Sequence, residues 1–130
     1  MTLQALTPEI AESIAEAAAA LARDERAMVR YLGIGRRNKA DPLRIVPEAV
    51  DLGAFDTDER QRLRGLLEAL SVDQRRELIA LAWFGKSATL DFATALRRTR
   101  RIPPEAQVGY LMSRQLDRHI PAGLDRLRPR

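Results

Sequence analysis

Ser71-Val-Asp-Gln-Arg-Arg-Glu-Leu-Ile-Ala-Leu-Ala-Trp-Phe-Gly-Lys-Ser87 is the stretch whose reading decides the fold. A polar start leads into Leu78-Ile79-Ala80-Leu81-Ala82-Trp83-Phe84, the most apolar run of the 130-residue chain and the site of its one tryptophan. Ser71-x-x-Gln74 has the spacing of a capping box, in which each side chain satisfies a backbone N–H near the other residue. Gly85 stands where helices commonly stop. A helix apolar on every face is a buried helix, so a central helix is expected over about 72–85, with the remaining elements around it. Trp83 is expected in the core, where truncation to alanine would cost roughly 3–5 kcal/mol.

Just upstream, Leu63, Leu66, Leu67 and Leu70 fall at i, i+3, i+4 and i+7, one apolar face, with Arg60, Arg62 and Arg64 outward. Asp56 or Thr57 is placed to cap that helix. Its junction with the central helix is so short that the two should fold back on each other or cross steeply. Downstream, Ser87 or Thr89 should open a helix to about Arg101. Phe92, Ala95, Leu96, Thr99 and Ile102 lie on one side of it, with Arg97, Arg98, Arg100 and Arg101 on the other. Pro103-Pro104 breaks the chain and starts a further helix to about Met112. Ser113 then caps a last segment built on Leu116, Ile120, Leu124 and Leu127, with a kink or split near His119–Ile120 imposed by Pro121.

At the amino end, Thr7-Pro8-Glu9 reads as N-cap, first helical position and acidic first turn. Ile10, Ile14, Ala17, Leu21, Met28 and Tyr31-Leu32 continue an apolar stripe, with Asp24-Glu25 as its weak point, so one long helix or two shorter ones is expected. The alanine-rich seam suits close packing on another helix, within the chain or across a dimer. Gly33-Ile-Gly35 ends the helix, and about twenty irregular residues follow to Phe55, with one helical turn expected at Pro47–Val50. No stretch alternates with period two. The expected fold is all-α, a compact bundle of five to six helices in a single domain, 1–130. Residues 1–55 give a helix plus long loop, and 56–130 the helical core.

Composition narrows the function classes. No apolar run approaches the roughly 20 residues that cross a bilayer, and the amino terminus does not read as a signal peptide. The chain has no cysteine, so disulfides and thiolate zinc sites are ruled out. A bacterial-type cytoplasmic protein without membrane contact is the expectation. The net charge of +4 is uneven: residues 1–96 sum to −2, and residues 97–130, with nine arginines, to +6.

Three features tempt a functional reading. Ala80-x-x-x-x-Gly85-Lys86-Ser87 fits a loose phosphate-loop pattern, but that loop is glycine-rich and follows a strand. Here Leu-Ala-Trp-Phe fills the loop positions, and helix caps around a corner account for Gly85 and Ser87. The run Arg97-Arg98-Thr99-Arg100-Arg101, joined by Arg114, Arg118, Arg126, Arg128 and Arg130, could contact a polyanion or an acidic partner. It equally fits a solvated face opposite a packed one, and no helix-turn-helix spacing accompanies it. His119 is the one histidine and lacks the partners of a zinc site or a catalytic triad.

The series Leu70-Ser71-x-Asp73-Gln74-x-x-Glu77-Leu78-x-Ala80-Leu81-x-Trp83-x-Gly85-Lys86, followed by Tyr110-Leu111 and Gly123-Leu124, resembles a family of short bacterial helical proteins classified only as a domain of unknown function. The resemblance covers about residues 63–127. This chain departs from it at Ser87 and at Ile120-Pro121-Ala122, where the family is usually acidic. The resemblance implies a helical unit and brings no activity. The functional expectation is therefore a non-catalytic module without cofactor or metal. It would bind a protein or ligand, or form a homo-oligomer through its first helix. The alternative is a nucleic-acid-associated regulator using Arg97, Arg98, Arg100 and Arg101.

Overall fold

The computed structural model describes residues 3–32 and 57–128, with side chains described for 3–27 and 57–128. The stretch 33–56, with its expected loop, glycine stop and Pro47–Val50 turn, lies outside the described residues, as do Arg130 and the side chains of Met28, Tyr31 and Leu32. Six α-helices are present among the described residues, and no strand: α1 (Pro8–Leu32), α2 (Asp58–Glu68), α3 (Val72–Lys86), α4 (Phe92–Arg98), α5 (Pro104–Met112) and α6 (Leu116–Leu127). A 3-10 turn, Thr99–Arg101, extends α4.

The central helix is α3. Six consecutive residues, Glu77 to Ala82, are buried, and Phe84 with them. Consecutive burial over more than a full turn means that every face of the helix is covered. Its cover comes from α6, α4 and α5, and from the segment before α1. Ser71 and Gln74 form the expected capping box, with Gln74 N–H to Ser71 Oγ at 3.1 Å and Ser71 N–H to Gln74 Oε1 at 2.8 Å.

The polar side chains at the start of α3 fasten other elements to it. Glu77, only 4% exposed, accepts hydrogen bonds from the successive backbone N–H groups of Gln4, Ala5 and Leu6, the shortest at 2.9 Å. A buried carboxylate is costly unless its oxygens are satisfied, and three amides aimed at one carboxylate satisfy them. Gln74 Nε2 adds a bond to Ala5 O at 3.3 Å, so the amino-terminal segment is clipped to α3 and Leu6 is buried. Arg75 donates to Leu67 O at 3.1 Å, which also accepts from Leu70 N, and to Leu70 O at 2.9 Å, so it ties down the end of α2. It also donates to Oε1 of buried Gln107 on α5, at 3.2 Å.

Several local expectations need correction. Gly85 is inside α3 and caps nothing; the C-cap is Ser87. A Cβ on Gly85 would collide with His119 O and come within 2.6 Å of Gly123 N, and one on Gly123 would collide with Leu81 O. The two glycines therefore let the backbones of α3 and α6 touch. Neither Ser87 nor Thr89 opens α4: Asp91 does, accepting from Thr94 N at 2.8 Å. The Thr94 backbone and hydroxyl bonds, aided less by Arg97, hold the Asp91 carboxyl below its ordinary value. Ser113 ends α5, its hydroxyl donating to Tyr110 O, and α6 begins at Gln115 with no side-chain cap. Pro121 does not split α6, which runs through it. Pro121 is exposed and removes one N–H from the ladder, while Ile120, Gly123 and Leu124 stay buried and hold the helix in place.

α1 is one helix across Asp24-Glu25, opened by Thr7, whose hydroxyl accepts from Ile10 N at 3.2 Å. Its alanine seam, Ala11, Ala15, Ala17 and Ala18, is buried within the chain as α1 packs on α6 and α2. Thr57 caps α2, which packs on α1 and α5 and does not fold back along α3. Arg60 of α2 pairs with Glu25 of α1 at 3.6 Å.

Candidate functional site

Trp83 is the expectation most changed by the structure. It is half-buried, and the core is carried instead by fully buried Leu67, Leu78, Ile79, Leu81, Leu111, Leu116 and Ile120. The cause lies in the helix period. Trp83 and Lys86 are three residues apart on the last turn of α3 and share its one uncovered face. The indole N–H donates to the Tyr110 hydroxyl at 2.6 Å, and the rings meet edge-to-face with centroids 6.0 Å apart. That bond satisfies the polar edge of the indole, whose ring packs against the core and keeps part of its area at the surface.

Two hollows flank Trp83, and Lys86 lines both. One, of about 510 Å³, also includes Leu90 and Arg98. The other, of about 570 Å³, is bounded by Tyr110, Arg114, Arg118 and His119. Neither has a carboxylate in its lining among the described residues. Arg114 lies over the Tyr110 ring, 4.4 Å from its centroid, a cation–π contact that leaves the charge uncompensated. The nearest bond of Arg118 is to neutral Gln115, at 3.4 Å. His119 is half-buried, and burial, reinforced by the charges of Arg118 and Lys86, lowers its pKa below 6.5 against the smaller opposing pull of Asp117.

The arginines singled out from sequence divide. Arg97, Arg98, Arg100 and Arg101 are all exposed, on α4 and its 3-10 extension, opposite buried Phe92, Ala95 and Thr99. Arg98 alone of the four lines a hollow beside Trp83. Arg126, though exposed, is already engaged. Its guanidinium stacks on Phe84, 3.8 Å from the centroid, and donates to the carbonyls of Phe84, Ser87 and Ala88 at and just past the end of α3. Arg128 pairs with Asp125 at 3.8 Å. Sequence reading missed Lys86 and Tyr110 as surface partners of Trp83. The signal was the four-residue spacing Tyr110–Arg114–Arg118, which the turn between α5 and α6 interrupts.

The phosphate-loop pattern falls in a helix. Ala80 to Lys86 belongs to α3, so its N–H groups bond within the helix and cannot cradle a phosphate. Among the described residues no group of three or more His, Asp or Glu could hold a metal ion, and no helix is long and apolar enough to cross a membrane.

What fold and surface define is an all-α domain with a basic, aromatic face at the end of its central helix. Residues 60–128 match the family described as protein of unknown function (DUF3775), and the chain belongs to that family. The match takes in α3 to α6 and nearly all of α2, including Trp83, Lys86, Tyr110, Arg114 and Arg118. No curated protein and no solved structure matches the chain.

Proposed function

We propose that this protein is a non-catalytic binding module whose contact surface is the face around Trp83 and Lys86, and that what it binds is anionic. One observation carries the reading: the one tryptophan, packed against the core on one side, stands partly exposed between two hollows lined by cations and, among the described residues, by no carboxylate. A large aromatic side chain left at a surface, its polar edge already bonded, is typical of recognition sites. A non-catalytic role is supported by the bonding of the polar groups nearby. Ser113 donates to Tyr110 O and not to His119, so the face holds no nucleophile with its base. A bacterial, cytoplasmic setting, suited to the cysteine-free composition, is part of the proposal. A homodimer would need a face other than the alanine seam, which α2 and α6 already cover; the mass of the free protein in solution tests for one.

The second reading is nucleic-acid association, favoured by Arg98, which joins the exposed arginine run to the same face. The two readings separate in one titration followed by Trp83 emission at low salt, using a glutamate-rich peptide and duplex DNA. Saturable response to the peptide supports an acidic protein partner. Response to DNA alone, with a log–log salt slope of roughly −3 to −4 for four neutralised phosphates and loss in Arg97/Arg98/Arg100/Arg101→Ala, supports the second. Silence toward both removes this face as a macromolecular contact.

A further inference from the structure

We propose that the hollow between the end of α3 and the α5–α6 joint binds a small organic phosphate, a phosphate monoester carried on an apolar or aromatic group, an inference that rests on the reading of the Trp83–Lys86 face and narrows it to one side. Lys86 from α3, Arg114 from the joint and Arg118 from α6 line this one hollow, with no carboxylate in its lining among the described residues. None of the three is ion-paired among the described residues. Among the described residues, Arg60, Arg76 and Arg128 are met by carboxylates and Arg75 and Arg126 by helix-end carbonyls. Arg97, Arg98, Arg100 and Arg101 also form no ion pair there, but they spread along an exposed face, and what sets the trio apart is convergence on one hollow. Three cations gathered on one hollow repel one another, and an anion relieves all three at once.

The chemistry of the lining selects the anion. Two planar guanidinium forks and one ammonium suit the several oxygens and double charge of a phosphate monoester better than a single carboxylate. A phosphodiester carries one charge and is held by tracks of cations along a backbone, so three cations converging on one hollow favour the monoester over nucleic acid. The Trp83 and Tyr110 rings, locked edge-to-face by the 2.6 Å hydrogen bond, supply an apolar wall beside the cations. Arg114 is held by its contact with the Tyr110 ring, which fixes the group without using its N–H donors on an acid. The lowered pKa of His119 comes chiefly from burial, and the charges of Arg118 and Lys86, which outweigh Asp117 there, agree in sign. At about 570 Å³ the hollow has the size of a small-molecule site.

The test follows Trp83 emission at pH 8 and fixed ionic strength, where a phosphate monoester is a dianion, with inorganic phosphate, phenyl phosphate and benzoate as probes. Inorganic phosphate should saturate with a dissociation constant on the order of millimolar, and phenyl phosphate should bind about tenfold tighter through the aromatic wall. Benzoate should bind more weakly than phenyl phosphate. Lys86→Ala and Arg118→Ala, both at exposed positions, should weaken phenyl phosphate about tenfold each, while Arg101→Ala leaves it unchanged. The His119 ring resonance, read in parallel, should show its pKa rise when phosphate binds. No saturable response in either signal overturns the inference, as does benzoate matching phenyl phosphate, or Arg101→Ala weakening binding as much as Lys86→Ala. If the glutamate-rich peptide binds while phosphates do not, only this inference falls. If neither binds, the Trp83–Lys86 face falls with it.

Discussion

The two ends of α3 use their polar side chains in opposite ways. At the amino end, Gln74, Arg75 and Glu77 each bond to backbone or buried partners on other elements, and together they fasten the amino-terminal segment, the end of α2 and α5 to the central helix. At the carboxyl end, Lys86 pairs with nothing acidic among the described residues and lines two hollows with Trp83, one with Arg98 and the other with Arg114 and Arg118. Charge that is buried and satisfied holds a fold together; charge that converges uncompensated at a surface is available to a ligand. Arg126 sharpens the contrast, because it lies beside the second group by position and belongs to the first by bonding.

If this division is right, substitutions at the first set should act on stability and those at the second on binding. The largest stability effect should come from Gly85→Val. Its side chain would drive into backbone at the α3–α6 crossing, where no rotamer change makes room, so a loss of about 3 kcal/mol or failure to fold is expected by denaturant titration. Gly65→Ala is the control: nothing lies within 4 Å of the added carbon, and a mid-helix glycine replaced should stabilise by about 0.5–1 kcal/mol. Glu77→Ala comes next, with about 3 kcal/mol lost as three amides are left without their acceptor. It should also speed hydrogen exchange at Gln4, Ala5 and Leu6; unchanged exchange there would mean the clip is not what holds the segment.

Much of this architecture was legible because periodicity and caps are local. The capping box at Ser71–Gln74, the Thr7-Pro8 start, the Thr57 cap and the leucine face of α2 all follow from spacing along one helix. What sequence could not show was long-range. Glu77 read as an ordinary polar residue of α3, since its partners are 71 to 73 positions away. Gly85 read as a stop, because its function is a crossing with a helix nearly forty residues on. Trp83 read as core for the same reason: its run was apolar, and only the packing of α4, α5 and α6 decides which face of the last turn stays open. The arginine run was placed correctly on an exposed face, but the cations that converge on a hollow come from three separate elements.

Trp83 itself tests the boundary between the two ends. With part of the indole exposed, Trp83→Ala should cost about 2 kcal/mol, less than the 3–5 typical of a buried ring, and should weaken phenyl phosphate binding read from the His119 ring resonance. Trp83→Phe should keep most of the packing and lose the bond to Tyr110. A loss of 4 kcal/mol or more in the alanine variant would put the ring back in the core. Lys86→Ala should change stability by no more than about 0.5 kcal/mol, as expected for an exposed, unpaired side chain.

The smallest effect is the most direct reading of the field at the open end. His119 should titrate below 6.5, with burial as the main cause and Arg118 and Lys86 adding to it against Asp117. Because the folded value is the lower one, the unfolded chain holds the proton more readily in between. Stability from this residue is therefore present above pH 6.5 and is lost as pH falls through the folded-state value. Removing the Lys86 charge should move the midpoint up toward 6.5 without restoring it fully, since burial and Arg118 remain. A titration of the ring resonance in wild type and Lys86→Ala decides the matter. A midpoint unmoved by the substitution would mean that Lys86 does not project its charge into the hollow, and the open end of α3 would lose its claim to a concerted cationic site.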